Sequence, residues 1–104
     1  MAINSNPAII NGAIISGQGI NTILNISTPT VVKAMKGRIA KVNVTTAGST
    51  TGSVYDHPTT AGVAAANLVG VIPDVVGNYL FDFPCGTGIV IVPGTGMVVS
   101  VSYN

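Results

Sequence analysis

Apolar and polar residues alternate with a period of two through most of the chain from residue 20 onward. The segment RIAKVNVTT (38–46) shows this most clearly, with Ala40, Val42 and Val44 on one face and Lys41 and Asn43 on the other. Successive side chains of a β-strand point to opposite faces of a sheet, so this period predicts strands that bury one face. The segment MVVSVSY (97–103) repeats the pattern, whereas GIVIV (88–92) is apolar on both faces and predicts a central strand.

Segments of this kind recur along the chain at spacings of roughly 8–12 residues, with glycine, proline, asparagine and serine between them. The predicted strands are 20–26, 30–35, 38–46, 53–58, 67–73, 79–83, 88–92 and 97–103. The predicted inward residues include Ile20, Thr22, Leu24 and Ile26 in the first strand, Tyr79, Phe81 and Phe83 in the sixth, and Met97, Val99, Val101 and Tyr103 in the last.

The connections between these strands decide the fold class. Only 59–67, TTAGVAAAN, favours a helical turn, and no connection has room for the crossover helix of a parallel α/β fold. The pattern therefore predicts an all-β protein, an antiparallel β-sandwich of jelly-roll type or a small barrel of about eight strands.

The start of the chain lacks this alternation. Residues 1–19 contain a short echo, AIING followed by AIISG, in a background of Asn, Gly and Ser. The prediction is an extended N-terminal arm (1–19) preceding the sandwich domain (20–104). The arm has apolar contact points for a neighbouring subunit at Ile9, Ile10, Ile14 and Ile15.

Charge is scarce in this chain. Charged residues make up 7% and hydrophobic residues 47%, against about 25% charged residues in typical soluble domains. Such a chain has few means of keeping a free surface soluble by charge, which favours a subunit that covers its surface with partners.

The charges are also segregated along the sequence. All basic residues lie close together, and we interpret them as contacts with another subunit, facing Asp residues of a neighbouring copy, the alternative being a solvated strand end. They are Lys33, Lys36, Arg38 and Lys41. A net charge of +1 and few basic residues predict no nucleic-acid partner.

No signal peptide is recognisable at the start, and no apolar run approaches the ~20 residues of a membrane helix. The expectation is a protein without a membrane partner that stays in the cytoplasm or leaves with an assembled particle.

Two Gly-Thr-Gly segments, at 86–88 and 94–96, raise the possibility of a phosphate-binding loop. Such a loop joins a strand to a helix, so that backbone N–H groups at the helix start face the anion. Here an apolar β-segment follows each one, so both are interpreted as turns between strands.

The remaining chemistry is limited to single residues. Cys85 could act as a nucleophile only beside His57, oriented by Asp56 or Asp82, and no local motif supports that triad. The Asp56-His57 pair is too small a set for a zinc site. We therefore predict no enzymatic activity, no metal and no cofactor, and a buried, unreactive Cys85.

Several segments between 37 and 103 together resemble small virion proteins of tailed bacteriophages. They are GRIAKVNV, AGSTTGSVYD, AAANLVGVIP, DFPCGTGIVIVPGTG and VSVSY. The resemblance implies an all-β subunit that decorates or cements the capsid, assembled in the host cytoplasm, with the major capsid protein or another virion protein as partner. It also implies a homo-oligomer, typically a trimer, and transfers no functional residues.

Two classes of function follow. The first is a structural virion protein, with capsid decoration ahead of a tail, baseplate or fibre component. The second is a glycan-binding β-sandwich module, because Asn, Asp and aromatic residues on such folds suit sugars.

Overall fold

The computed structural model describes residues 19–104, and the predicted arm residues 1–18 lie outside the described part. Within residues 19–104, eight strands and one 3-10 turn follow one another. They are β1 (Asn21–Ile26), β2 (Thr30–Lys33), β3 (Gly37–Thr46), β4 (Gly52–Tyr55), the 3-10 turn Ala65–Asn67, β5 (Leu68–Ile72), β6 (Gly77–Cys85), β7 (Ile89–Val92) and β8 (Val98–Tyr103). The all-β prediction is confirmed, and the helical turn lies within the segment that favoured it.

The strands form two four-stranded antiparallel sheets packed as a sandwich. Sheet 1 has the order β1-β8-β3-β6 and sheet 2 the order β2-β7-β4-β5. The pairs β1–β8, β2–β7, β3–β6 and β4–β5 are nested around the β4–β5 hairpin, which is the winding of a jelly roll. The strand order thus selects the jelly-roll sandwich over the barrel.

The nested winding places the connections at two opposite ends. Gly37 pairs with Cys85 and Lys33 with Ile89, so the loops 34–36, 56–67 and 86–88 share one end, here called the basic end. The opposite end, called the Asp74 end, carries the loops 27–29, 47–51, 73–76 and 93–97. Strand β3 runs from one end to the other, and its ten residues span about 30 Å.

The core lies between the sheets and is aliphatic. Val42, Val44, Val99 and Val101 of sheet 1 face Val54, Ile72, Ile89 and Ile91 of sheet 2, all at most 1% exposed. The predicted inward faces of β3 and β8 are confirmed. Strand β7 is buried on both faces, as its uninterrupted apolar sequence predicted.

The predicted inward faces of β1 and β6 are partly wrong. In β1, Ile20 and Leu24 are 67% and 68% exposed, while Ile23 and Ile26 pack into the core. Asn25 has a φ of 58° and the β1–β8 register shifts there, because a bulge inserts one extra residue. Thr22 pairs with the outward Ser102 and is exposed too.

Strand β6 departs from alternation for the same reason. Tyr79 and Phe81 pack against the core as predicted, but Phe83 is 46% exposed. Asp82 between them has a φ of 44°, and the β3–β6 register shifts between Ile39 and Lys41.

Candidate interaction site

The basic end holds a concave surface that is lined by three of the four basic residues predicted as contacts. Lys33 ends β2, Lys36 lies in the tight 34–36 loop, and Arg38 begins β3. These side chains line a depression of about 540 Å³ whose other walls are Gly37, Pro84, Cys85, Gly86 and Asn104. The connection from β2 in sheet 2 to β3 in sheet 1 brings the three cations together because it is only three residues long.

Within this depression the cations are not equivalent. Arg38 Nη1 donates hydrogen bonds to Asp82 Oδ1 at 3.0 Å and to the Asp82 carbonyl oxygen at 3.2 Å. Arg38 is thus paired within its own chain, and its expected contact with an aspartate of a neighbouring copy stays a prediction. Among residues 19–104, the side chains of Lys33 and Lys36 have neither a hydrogen bond nor an ion pair. They therefore carry the uncompensated positive charge of the depression.

Gly37 lets the Lys33 side chain lie close to the backbone. A Cβ at Gly37 would lie 2.5 Å from the Asn104 carbonyl oxygen and 2.8 Å from Lys33 Cδ. Asn104 in turn exchanges two backbone hydrogen bonds with Arg38. The glycine is therefore required by close approach of the chain at this wall of the depression.

The first Gly-Thr-Gly segment, beside the depression, binds an anion of its own chain. Asp56 accepts hydrogen bonds from the backbone N–H groups of Gly86, Thr87 and Gly88 at 2.8, 2.8 and 3.3 Å, and from the Thr87 hydroxyl at 2.9 Å. Burial raises the pKa of Asp56, but these four hydrogen bonds together hold it below 3.8. The turn interpretation is confirmed, and the carboxylate already fills the place an external phosphate would need.

Cys85 lies at the floor of the depression and is 2% exposed. Burial, together with the nearby negative charge of Asp56, raises the pKa of its thiol to about 11. A neutral, buried thiol is a poor nucleophile, which agrees with the predicted burial of Cys85. His57 Nδ1 lies 3.1 Å from the Thr59 backbone nitrogen within its own loop.

Lys41, the fourth basic residue, lies elsewhere. It occupies the outer face of sheet 1 in a shallow depression of about 200 Å³. The lining is almost entirely hydroxyl and amide side chains: Thr22, Asn43, Asn78, Ser100 and Ser102. In the part of the chain described by the structure, the Ser102 hydroxyl is buried without a hydrogen-bond partner.

The Asp74 end has the opposite character. Its loops contain a single charged residue, Asp74, followed directly by Val75 and Val76, each 60% exposed. The sequence predicted a turn at 73–78, but it did not single out these three residues as a contact site. The available signal was a pair of valines inside a turn, where polar residues are usual.

Residues Ile9, Ile10, Ile14 and Ile15 lie outside the described residues. Between residues 19 and 104 no group of three or more His, Cys or Asp side chains is placed to hold a metal ion. Nor is any helix of that region long and apolar enough to cross a membrane. The chain matches no protein-family model, no curated protein and no solved structure.

Proposed function

We propose that this chain is a structural subunit of a tailed-bacteriophage virion, a capsid decoration or cement protein that stabilises the phage head as a homo-oligomer. The observation that carries the proposal is the surface of the jelly roll. Among residues 19–104, large apolar side chains are more than a third exposed at ten positions: Ile20, Leu24, Val31, Met35, Leu68, Val71, Val75, Val76, Leu80 and Phe83. The whole chain has only four basic residues and three aspartates. Extensive apolar exposure of this kind is typical of a protein that acts inside an assembly.

The exposed residues are spread over the molecule. Leu68 and Val71 belong to β5 at one edge of sheet 2, and Leu80 to β6 at one edge of sheet 1. Strand edges with few charged residues are open to pairing unless a neighbour covers them. A subunit surrounded by sister subunits and by the capsid lattice would cover several sides at once.

The fold agrees with this proposal without determining it. Jelly rolls occur in viral capsid proteins, but also in lectins and cupins. The virion assignment depends on the apolar surface taken together with the sequence resemblance to small phage proteins. A tail, baseplate or fibre subunit would need the same surface, and the buried Cys85 thiol supports a non-catalytic role.

Particle purification tests this proposal. Phage particles produced by the cell that encodes this chain are banded in a density gradient and analysed by mass spectrometry. We expect peptides of this chain in the particle band at a fixed ratio to the major capsid protein, with cryo-electron microscopy density for a jelly roll on the head. Density on the tail would identify the tail alternative, whereas recovery of the chain only outside the band would contradict a virion role.

Glycan binding is the second candidate, supported by the polar outer face of sheet 1. Two neighbouring rows of hydroxyl and amide groups surround Lys41 there, and such groups bind sugar hydroxyls. A glycan array tests it directly. Retention that is lost in Asn43→Ala but kept in Asn67→Ala, on another part of the chain, would favour this candidate, and no retention would exclude it.

A further inference from the structure

We infer that copies of this chain bind head to tail, with the 73–76 loop of one copy inserted into the basic depression of the next. The inference deepens the proposed function and rests on it for the homo-oligomer. The contact joins the Asp74 carboxylate to the Lys33 and Lys36 ammonium groups. It is therefore a site for a second copy of the same chain.

The first observation is which charged side chains already have a partner within the chain. Asp56 is bound by the 86–88 loop and Asp82 by Arg38. Among residues 19–104, the Asp74 side chain has no hydrogen bond or ion pair, and neither has the side chain of Lys33 or Lys36. One carboxylate and two neighbouring ammonium groups are thus the complementary charges left without partners at the two ends.

Geometry excludes pairing of these groups within one copy. Lys33 and Lys36 lie at the basic end and Asp74 lies at the opposite end. The ten residues of β3 separate the two ends by about 30 Å, and an ion pair requires about 4 Å. Asp74 can therefore reach these lysines only in another molecule.

Shape and apolar character also match. The depression holds about 540 Å³, within the range of about 300–1,000 Å³ that accommodates a drug-sized ligand, so it has room for the tip of a loop. Val75 and Val76 are 60% exposed beside Asp74, and Met35 is 65% exposed on the loop that borders the depression. Contact between these side chains would bury apolar surface around the ion pair.

A head-to-tail contact uses two different surfaces of each copy. Such heterologous contacts close into a ring when the rotation between copies allows it, and otherwise continue as a filament. The predicted trimer is a closed ring of this kind. The same contact without closure would build the stacked subunits of a tail or fibre.

Charge reversal tests the contact in the full-length chain by sedimentation equilibrium. We expect Asp74→Lys to weaken self-association by about tenfold or more, and Lys33→Asp combined with Lys36→Asp to do the same. The control is Lys41→Asp on the outer face of sheet 1, which makes the same charge change as Lys33→Asp alone and should leave association as in the wild type, whereas Lys33→Asp alone should weaken it. Circular dichroism melting verifies that each variant is folded.

The decisive experiment mixes complementary variants. Asp74→Lys mixed with the Lys33→Asp/Lys36→Asp variant restores complementary charges at both contacts between unlike copies, so the mixture should form complexes of alternating variants that neither variant forms with itself. Failure to form these mixed complexes would overturn the inference, as would wild-type association that Asp74→Lys leaves unchanged or a wild-type monomer at all concentrations.

The two proposals fail separately. If the chain bands with particles but charge reversal leaves its self-association unchanged, the virion role is supported and the head-to-tail contact is contradicted. A chain that responds to charge reversal as expected but never bands with particles retains the contact and loses the virion role.

Discussion

Asp56 accepts hydrogen bonds from residues thirty positions further along the chain, and it ties the end of β4 to the connection between β6 and β7. Three backbone N–H groups and one hydroxyl converge on its two oxygens. Ionised acceptors form stronger hydrogen bonds than neutral ones. A chain with three aspartates thus uses one of them to shape a loop.

Replacing Asp56 with asparagine should destabilise the sandwich by about 1–2 kcal/mol at pH 7. The asparagine NH2 group cannot accept the backbone hydrogen bonds that the replaced carboxylate oxygen accepts. The folded-state pKa of Asp56 lies below 3.8, so its contribution is present above that pH and is lost as the pH falls further. The difference in the free energy of unfolding between wild type and variant, measured by urea denaturation, should therefore become smaller below pH 3.8. Asp74→Asn, at a carboxylate without a partner among residues 19–104, is the control and should change stability by less than about 0.5 kcal/mol.

The Cys85 thiol should be nearly inert in the folded chain. With its pKa raised to about 11 from 9.0, the thiolate fraction at pH 8 falls by about a hundredfold, before restricted access is counted. Iodoacetamide labelling followed by mass spectrometry should therefore be at least about a hundredfold slower in buffer than in denaturant. Equal rates in the two conditions would show that Cys85 is accessible and would contradict the prediction of an unreactive thiol.

At the scale of the strands, the errors of the sequence prediction have one physical cause. The inward faces of β3 and β8 were predicted correctly, although Ile39 of β3 is buried beside Ala40 as well. Alternation fails in β1 and β6, at Asn25 and Asp82, the two non-glycine residues with positive φ among residues 19–104. Asn and Asp tolerate the left-handed region, but sequence alone does not tell which ones adopt it. One such residue exchanges the faces of every residue beyond it.

The interaction site was only partly predictable for a related reason. The clustering of Lys33, Lys36 and Arg38 in sequence indicated that they lie together, because a short connection joins β2 to β3. The pairing of Arg38 with Asp82 depends on the β3–β6 register, and the separation of Asp74 from the lysines depends on the sheet topology. Neither could be obtained from local patterns.

The two Gly-Thr-Gly turns differ in what surrounds them, and matched alanine substitutions should reveal it. A Cβ at Gly94 would collide with the carbonyl oxygens of Thr50 and Thr51, whereas one at Gly86 would meet only Asp56 Oδ2 at an ordinary 3.7 Å. We expect Gly94→Ala to cost about 2–4 kcal/mol and Gly86→Ala less than about 1 kcal/mol. Comparable thermal-unfolding midpoints for the two variants would contradict the packing of the 47–51 loop against the second turn.

At the scale of the whole molecule, the eight strands found among residues 19–104 pair with one another in two sheets and enclose an aliphatic core. The predicted arm precedes these strands in the sequence. That segment contains isoleucines and no charged residue, which suits contacts with other subunits.

Deleting residues 1–18 should leave the β-sheet circular dichroism spectrum unchanged and shift the melting temperature by only a few degrees, while weakening self-association or binding to particles. Replacing Ile9, Ile10, Ile14 and Ile15 by serine in the full-length chain provides the control, since it keeps the length and removes the apolar contacts. Loss of the folded spectrum on deletion would show that the segment belongs to the core.

The nested pairing of the strands also sets an order of folding events. β4 and β5 are neighbours in sequence, whereas Asn21 of β1 pairs with Tyr103 of β8 near the other end of the chain. Closing a longer loop costs more chain entropy, so the β4–β5 hairpin is the natural nucleus and the β1–β8 pair closes last. The ribosome must therefore have released β8 before sheet 1 is complete, and such non-local topologies fold in milliseconds to seconds. The β4–β5 pair can form earlier, so during synthesis the two sheets are completed at different times.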